Sequence, residues 1–587
     1  MKFRNICSSI CGLSMLLFAS CIDSNYDLAN IDTTTRIQVN DLVIPINLDP
    51  IMMSDLLEIR EGDNIQIADN RYAIVTNGEF TSDQINIEPF TIPAPMIIPL
   101  IQENESGISD PLILDKTDVT IDVKGHYVAW QTISPKISDD IRGITEIKSD
   151  CDFIVALKFL ELFDKVNRLE LNDVVIQLPP GLTIFGGNTE NATYDSETGL
   201  MTISQIVSET GNFNIRFRVS AFDAQKAHIT FDNYAHAVRF DNSIQLLSAK
   251  LVLKKSDFKE GADYSIPNPI SIETAPYISD IAVTSISGSI SHTLTGFDIK
   301  GIDLSTLPDM LRGSGTDLKL VNPQIYLRLI NPLRGFGIHA ISGLSIQIDR
   351  GDKVFDTFSI DDPGYFTIQA PTGENPSQTF CFSPQPVNTS PVGFDNPTYV
   401  PFSTLGDILA GNGIPEYLIV SLSSGTTSAP YIPEQPVKDF PLGIDYGEIS
   451  GAYQFIAPLD FEVGSTIKYS KTEQGWSNKD LENLTITSLK VNVTVSSNLP
   501  IDLQFTGQPM NKFGRPIQGV TIEGATIKAN TENQELEIYI TGEIKYLDGI
   551  TFEASGVSVE SKPLTPDMKL TLTNLRPVVS GYFDKKL

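Results

Sequence analysis

Side chains able to do chemistry are thinly spread along this chain of 587 residues. Its five histidines, His126, His228, His236, His292 and His339, are dispersed, and only His228 and His236 are near neighbours. No cysteine or carboxylate cluster completes a zinc set around them, and no Asp-x-Asn-x-Asp-Gly calcium loop occurs, so no metal and no other cofactor is expected. Neither a Gly-x-Ser-x-Gly elbow nor a Gly-x-x-x-x-Gly-Lys phosphate loop is present, which leaves serine hydrolase and P-loop readings without a basis. The pairs Asp139-Asp140 and Asp361-Asp362 have the residue type for glycoside hydrolysis, but adjacent residues on a strand point to opposite faces. Both pairs read as turn residues, and Asp361-Asp362-Pro363-Gly364 has turn composition throughout. No catalytic residue is assigned, and the chain is expected not to be an enzyme.

Binding by aromatic stacking leaves more of a trace. Of the two tryptophans, Trp130 alternates with His126 and Val128 and reads as core. Trp476 follows Gly475 and precedes Ser477-Asn478-Lys479-Asp480, a loop setting in which a ring faces solvent. Trp476 is the first candidate for contact with a ligand, followed by Tyr431 and Tyr399 in Pro-rich loops. Arg350-Gly351-Asp352 spells an adhesion tripeptide, yet its place between Ile348 and Val354 is that of a hairpin tip.

The elements that must position these residues are strands. In Leu489-Lys490-Val491-Asn492-Val493-Thr494-Val495-Ser496 every odd position is apolar and every even one polar, which sets one face on a core and the other in water. The same alternation runs through Leu169–Leu171, Phe213–Val219, Ile325–Leu329, Leu344–Ile348, Leu536–Ile540 and Leu570–Leu575. Turn chemistry at Leu178-Pro179-Pro180-Gly181, Asp349-Arg350-Gly351-Asp352, Lys512–Pro516 and Asp548-Gly549 separates them. The expected fold is all-β: several antiparallel, sandwich-like or partly closed barrel domains in tandem, with a few short helices. One of those helices recurs. Ser305-Thr306-Leu307-Pro308-Asp309-Met310-Leu311-Arg312-Gly313 matches Ser403-Thr404-Leu405-Gly406-Asp407-Ile408-Leu409-Ala410-Gly411, and Ser54-Asp55-Leu56-Leu57 is a fainter copy. Each reads as a helix of one or two turns with a Ser/Thr cap and a closing Gly. Pro-, Ser- and Asn-rich stretches at 371–401 and 423–441 read as linkers or long loops. Further breaks near 145 and 270 complete the division into a segment 21–48 and domains 49–145, 146–270, 271–428 and 429–587.

At the N-terminus, Lys2 and Arg4 precede an apolar stretch from Ile6 to Ser20, with no acidic residue before Asp23, which is the layout of a secretory signal over 1–20. It ends on Leu17-Phe18-Ala19-Ser20-Cys21, which resembles the lipobox of bacterial lipoproteins, with Phe18 where that pattern usually has Leu. The resemblance implies acylation of Cys21 and a stable lipid anchor without a transmembrane helix. Residues 22–35 then read as a polar tether, followed by a first strand. The tract from Cys21 through Ile31-Asp32-Thr33-Thr34-Thr35-Arg36 to Val39–Pro45 resembles large β-rich outer-membrane lipoproteins of the Bacteroidetes type. That resemblance covers the first 50 residues and identifies a secretion class more than an activity. It implies export to the outer membrane, with the cell surface favoured over the periplasmic face by Asp23 and Asp27 near the anchor, and a short O-glycosylation acceptor at Asp32-Thr33-Thr34.

Forty-two basic against 73 acidic residues give a net charge of −31, and no basic stripe is present, which excludes a nucleic-acid partner. Cys7 and Cys11 leave with the signal, and Cys151 and Cys381 are expected to stay unpaired. The reading is a lipid-anchored cell-envelope protein with a non-enzymatic binding or scaffolding role, partnered by the membrane through Cys21 and by a glycan or a protein. Three alternatives stand beside it. A fimbria-like adhesin or pilus subunit would be cut after Arg36 to free a groove for strand donation, although Asp584-Lys585-Lys586-Leu587 offers no obvious donor strand. A glycan-active hydrolase would need carboxylates that converge only in three dimensions. A third alternative is a carrier whose β domains enclose a lipid.

Overall fold

The period-two alternation of apolar and polar residues is realised almost everywhere as strand: 59% of the chain is strand and 4% helix in the computed structural model. The structure describes residues 34–43, 49–57, 64–475 and 484–586, except 69, 113, 115–116, 188–190, 298, 334, 350–354, 371–376 and 412. The strands that build the interior and its edges are β1 (Thr34–Val43), β2 (Arg71–Gln84), β3 (His126–Ile133), β4 (Ile141–Phe159), β5 (Leu169–Gln177), β6 (Ile229–Asp232), β7 (Ala237–Leu253), β8 (Ile270–Ile278), β9 (Ile281–Thr293), β10 (Tyr431–Pro441), β11 (Glu448–Pro458), β12 (Leu484–Ser497) and β13 (Lys569–Lys586). Among the described residues they and their neighbours form six sheets. Pairing is antiparallel except between Ser377–Ser383 and Thr398–Pro401, which run parallel. No helix among the described residues is long and apolar enough to cross a membrane.

Strand β4 illustrates how sequence becomes core. Phe153, Val155, Leu157 and Phe159 alternate inward and are fully buried, and Phe153 stacks on Phe217 of the neighbouring strand with centroids 5.3 Å apart. One continuous apolar cluster extends from Met53 to Met568. A smaller one, including Val493, Val495, Ile527 and Leu570, fills the space between the two sheets of the C-terminal region. Leu489–Ser496 lies within β12, as its alternation requires.

The boundaries expected at 145/146, 270/271 and 428/429 do not coincide with sheet boundaries. Strand β4 runs straight through 145, and the sheet that contains it also takes in β8, β9 and β10 from beyond the next two cuts. Likewise β2 pairs with β11, Phe80 opposite Gly451, and β1 pairs with β13. A strand edge is satisfied by whichever edge geometry brings to it, and composition near a candidate linker carries no record of that choice.

Three local expectations are corrected. In the Pro-rich tract 423–441, residues 423–430 are loop as expected but 431–441 are strand: β10 lies against β9, with Pro436 opposite Ser289, and among the described residues its other edge is paired only at Tyr431, opposite Ile341, so the missing proline N–H groups leave no gap in a ladder. Ser377–Ser383 and Thr398–Pro401 are strands inside the other expected linker. Asp548-Gly549 sits within the strand Leu547–Ser558, and the chain instead bends at Tyr546, whose φ is 56°, where it passes from one C-terminal sheet to the other. The recurrent helices are present at Asp309–Arg312 and Ser403–Leu409, the second as a 3-10 helix, and Met53–Leu56 is the third. They bury Leu307 and Leu311, and Leu405, Ile408 and Leu409. Their caps are Pro308 and Phe402 without a side-chain bond, whereas the Ser305 and Ser403 amides donate to Asp303 and Asp361.

Candidate functional site

The concave site that stands out is a gap in one sheet edge. Strand β7 is long enough to take two partners on each side. On one edge β3 covers 239–246, while on the opposite edge β6 covers only 237–240 and β5 only 245–252. Between Phe240, opposite Ile229, and Gln245, opposite Gln177, that second edge carries no strand among the described residues. The result is an open cleft of about 480 Å³. Asp241, Asn242 and Ser243 form its floor, Gln177 to Pro180 one rim, His228 the other, and Tyr127 and Trp130 of β3 approach from the side.

Each rim is held in place. On the first, Gly181 has φ +75° and passes so close to Asp223 and Lys226 that a Cβ would lie within 2.9 Å of both, so the turn needs glycine. Burial pushes the Tyr194 phenol up to about 12, which keeps its proton in place. Its hydroxyl donates to the Pro179 carbonyl at 2.6 Å and accepts from the Leu182 amide. The Gln177 amide donates to the Leu178 and Thr198 carbonyls. On the second rim, Asn242 Nδ2 donates to the Ala227 carbonyl at 2.7 Å and fixes the residue before His228, itself in the left-handed region at φ 49°.

What remains free faces the solvent. Tyr127 is 46% exposed, and neither the Asp241 carboxylate nor the His228 imidazole has a hydrogen bond or ion pair among the described residues. Trp130 is 6% exposed, and its indole N–H is unpartnered. An exposed aromatic residue beside one carboxylate and an imidazole suits a polyhydroxylated ligand, which offers C–H faces for stacking and hydroxyls for hydrogen bonding. Among the lining residues Asp241 is the single carboxylate.

The residues singled out by sequence do not gather here. Cys21, Trp476 and Arg350-Gly351-Asp352 lie outside the described residues. Tyr431 is half-buried on β10 and Tyr399 half-buried on Thr398–Pro401, so neither ring stands in a loop. The Tyr399 hydroxyl donates to the Ser383 and Pro384 carbonyls, both at 3.3 Å, and burial raises its pKa. Arg36 is exposed on β1, whose residues from Thr34 to Val43 pair with β13, and Asp584, Lys585 and Lys586 of the C-terminal tail belong to that same β13. Asp139-Asp140 and Asp361-Asp362 are turn residues. Asp139 is paired with Lys136 at 3.0 Å, and Asp361 accepts from Ser403. Trp130 and His126 are buried as their alternation implies, yet Trp130 also lines the cleft. The one sequence signal for that cleft is the outward position of Tyr127 between two buried residues.

Among solved structures, a protein of Parabacteroides distasonis ATCC 8503 described as secreted aligns at 14% identity over 50% of this chain and 89% of its own, with a TM-score of 0.34. A broad bean stain virus structure aligns at 12% identity over 51% of this chain and 90% of its own, with a TM-score of 0.13. At scores this low neither likeness carries an argument. No protein-family model and no curated protein matches the sequence.

Proposed function

We propose that this chain is a lipid-anchored cell-envelope protein, exported to the outer membrane and facing outward, that binds a saccharide without transforming it. The observation that carries the reading is the cleft in the edge of β7, where the exposed Tyr127 ring adjoins the unpaired Asp241 and His228 side chains on a rigid sheet. A single carboxylate supports binding over glycoside hydrolysis, which uses two. The lipobox-like Leu17–Cys21 supports the anchor.

The test is an oligosaccharide array probed with the purified full chain and with Tyr127→Ala and Asp241→Ala. A charge-assisted hydrogen bond contributes about 1.5–3 kcal/mol, so Asp241→Ala weakens retention by about tenfold or more. Equal retention by the variants removes the cleft from the account, and an array that retains nothing removes the saccharide. Cys21→Ser, assayed by membrane fractionation, tests the anchor independently: the account predicts release into the soluble fraction.

A further inference from the structure

A second surface is as unusual as the cleft. Residues 93–102 form an extended strap over the seam between two sheets. Along one side they follow β8, from Gln102 opposite Ile272 to Ala94, whose N–H donates to Asp280. Along the other they follow the open edge of β3, where Gln102 accepts from the Tyr127 amide and Pro93 accepts from Thr132. Ile97 packs inward against the core and pins the strap. Its other apolar residues point out: Met96 is 92% exposed, Ile98 77% and Ile101 59%, flanked by exposed Tyr277 on β8 and Ile133 on β3. No charged residue occurs from Pro89 to Gln102.

We propose that this strap rests on a lipid bilayer, with Met96, Ile98 and Ile101 entering the boundary between headgroups and acyl chains. Three features select a bilayer as occupant. Both edges of the strap are occupied, by β8 and by β3, and Pro93, Pro95 and Pro99 lack N–H groups, so it offers no ladder to a strand of a protein partner. An uncharged apolar run beside a tyrosine has the chemistry of an interfacial contact. Thirteen Cα-to-Cα steps separate Cys21 from Thr34, the first described residue, and a chain that long reaches at most about 45 Å, so an anchor at Cys21 would hold the folded part within reach of the membrane. This third feature rests on the anchor reading, and the first two do not. With a net charge of −31 the chain gains nothing from anionic lipid, so the contact is apolar and insensitive to salt. The cleft opens on the far edge of β7, across β3 from the strap.

The test places the full chain purified from membranes in phosphatidylcholine vesicles that contain a photoreactive phosphatidylcholine, and maps labelled peptides by mass spectrometry. The proposal predicts label within 93–102, reduced at least tenfold in the Met96→Asp/Ile98→Asp variant, with N-terminal labelling unchanged. Both substitutions are at exposed positions, and matching circular dichroism melts confirm that the variant is folded. Label confined to the N-terminus overturns the strap contact and leaves the anchor standing. Absence of label everywhere overturns both. A self-associated chain whose strap is covered by a second copy, and which the variant converts to monomer, also overturns the bilayer as occupant.

Discussion

The Arg36 guanidinium grips the Asp584 carboxylate through two bonds, Nε to Oδ1 at 2.7 Å and Nη2 to Oδ2 at 3.0 Å, and so ties the first described strand to the last. Arg36 also lies over the Tyr582 ring, 3.9 Å from its centroid. The hydrogen bond from Arg36 holds the Asp584 carboxyl below its ordinary range. A carboxyl whose folded pKa is depressed contributes stability above its unfolded value, about 3.9, and loses it as pH falls through the folded value. The protection of the Ile37–Val39 amides, taken as exchange relative to the intrinsic rate at each pH, is therefore expected to stay constant between pH 7 and 5 and to fall below about pH 4. Asp584→Asn removes that acid step while moving the melting temperature little, because the pair is solvent-exposed. An unchanged acid profile in the variant would contradict the assignment.

Cys151 and Cys381 are free and buried. Burial, with Asp152 and Asp150 adding to it, pushes the Cys151 thiol up to about 12, and burial also raises Cys381. Neither is a thiolate at neutral pH. Iodoacetamide at pH 8 should leave both unmodified in the folded protein and alkylate both in guanidinium, as peptide mapping would show. Modification of Cys151 under native conditions would contradict its burial.

His126 is 1% exposed, with neither ring nitrogen hydrogen-bonded among the described residues, and burial lowers its pKa. The folded state therefore resists a proton that the unfolded chain accepts below about pH 6.5. Stability is whole above that value and falls as pH drops toward the folded pKa, by up to about 1.4 kcal/mol per pH unit. Denaturant melts at pH 7 and 5 should reveal this loss in the wild type and a smaller one in His126→Leu. Equal losses would place the acid sensitivity elsewhere.

Gly288 of β9 crosses β4 so closely that a Cβ would lie 2.0 Å from the Gly143 carbonyl oxygen. Backbone cannot step aside as a side-chain tip can, so Gly288→Ala is expected to cost about 1–3 kcal/mol by overpacking. Thermal melts of Gly288→Ala against the wild type measure this, and an unchanged melting temperature would contradict the close approach.

Sequence legibility follows the range of the interaction. Leu489–Ser496 declares itself because a half-buried strand writes its two faces into consecutive residues, and Val493 and Val495 are buried as that pattern demands. The pairing of Phe80 with Gly451 has no such record, since it depends on edges meeting across most of the chain. The cleft is harder still to read. Tyr127, Gln177, His228 and Asp241 come from four separate segments, and each alone resembles the solvated face of a strand or turn. Trp476 drew attention through its loop composition, whereas Trp130, a core residue by its alternation, is the tryptophan that borders the cleft.

That contrast supplies the most direct test of saccharide binding. Trp130 and Trp476 are the chain's two tryptophans, so Trp476→Phe leaves Trp130 as the sole indole reporter. Fluorescence of this variant would be titrated with the oligosaccharide retained on the array. The account predicts a saturable change in Trp130 emission that Tyr127→Ala abolishes. Emission that stays constant while the sugar remains bound would place the binding site elsewhere and contradict the cleft.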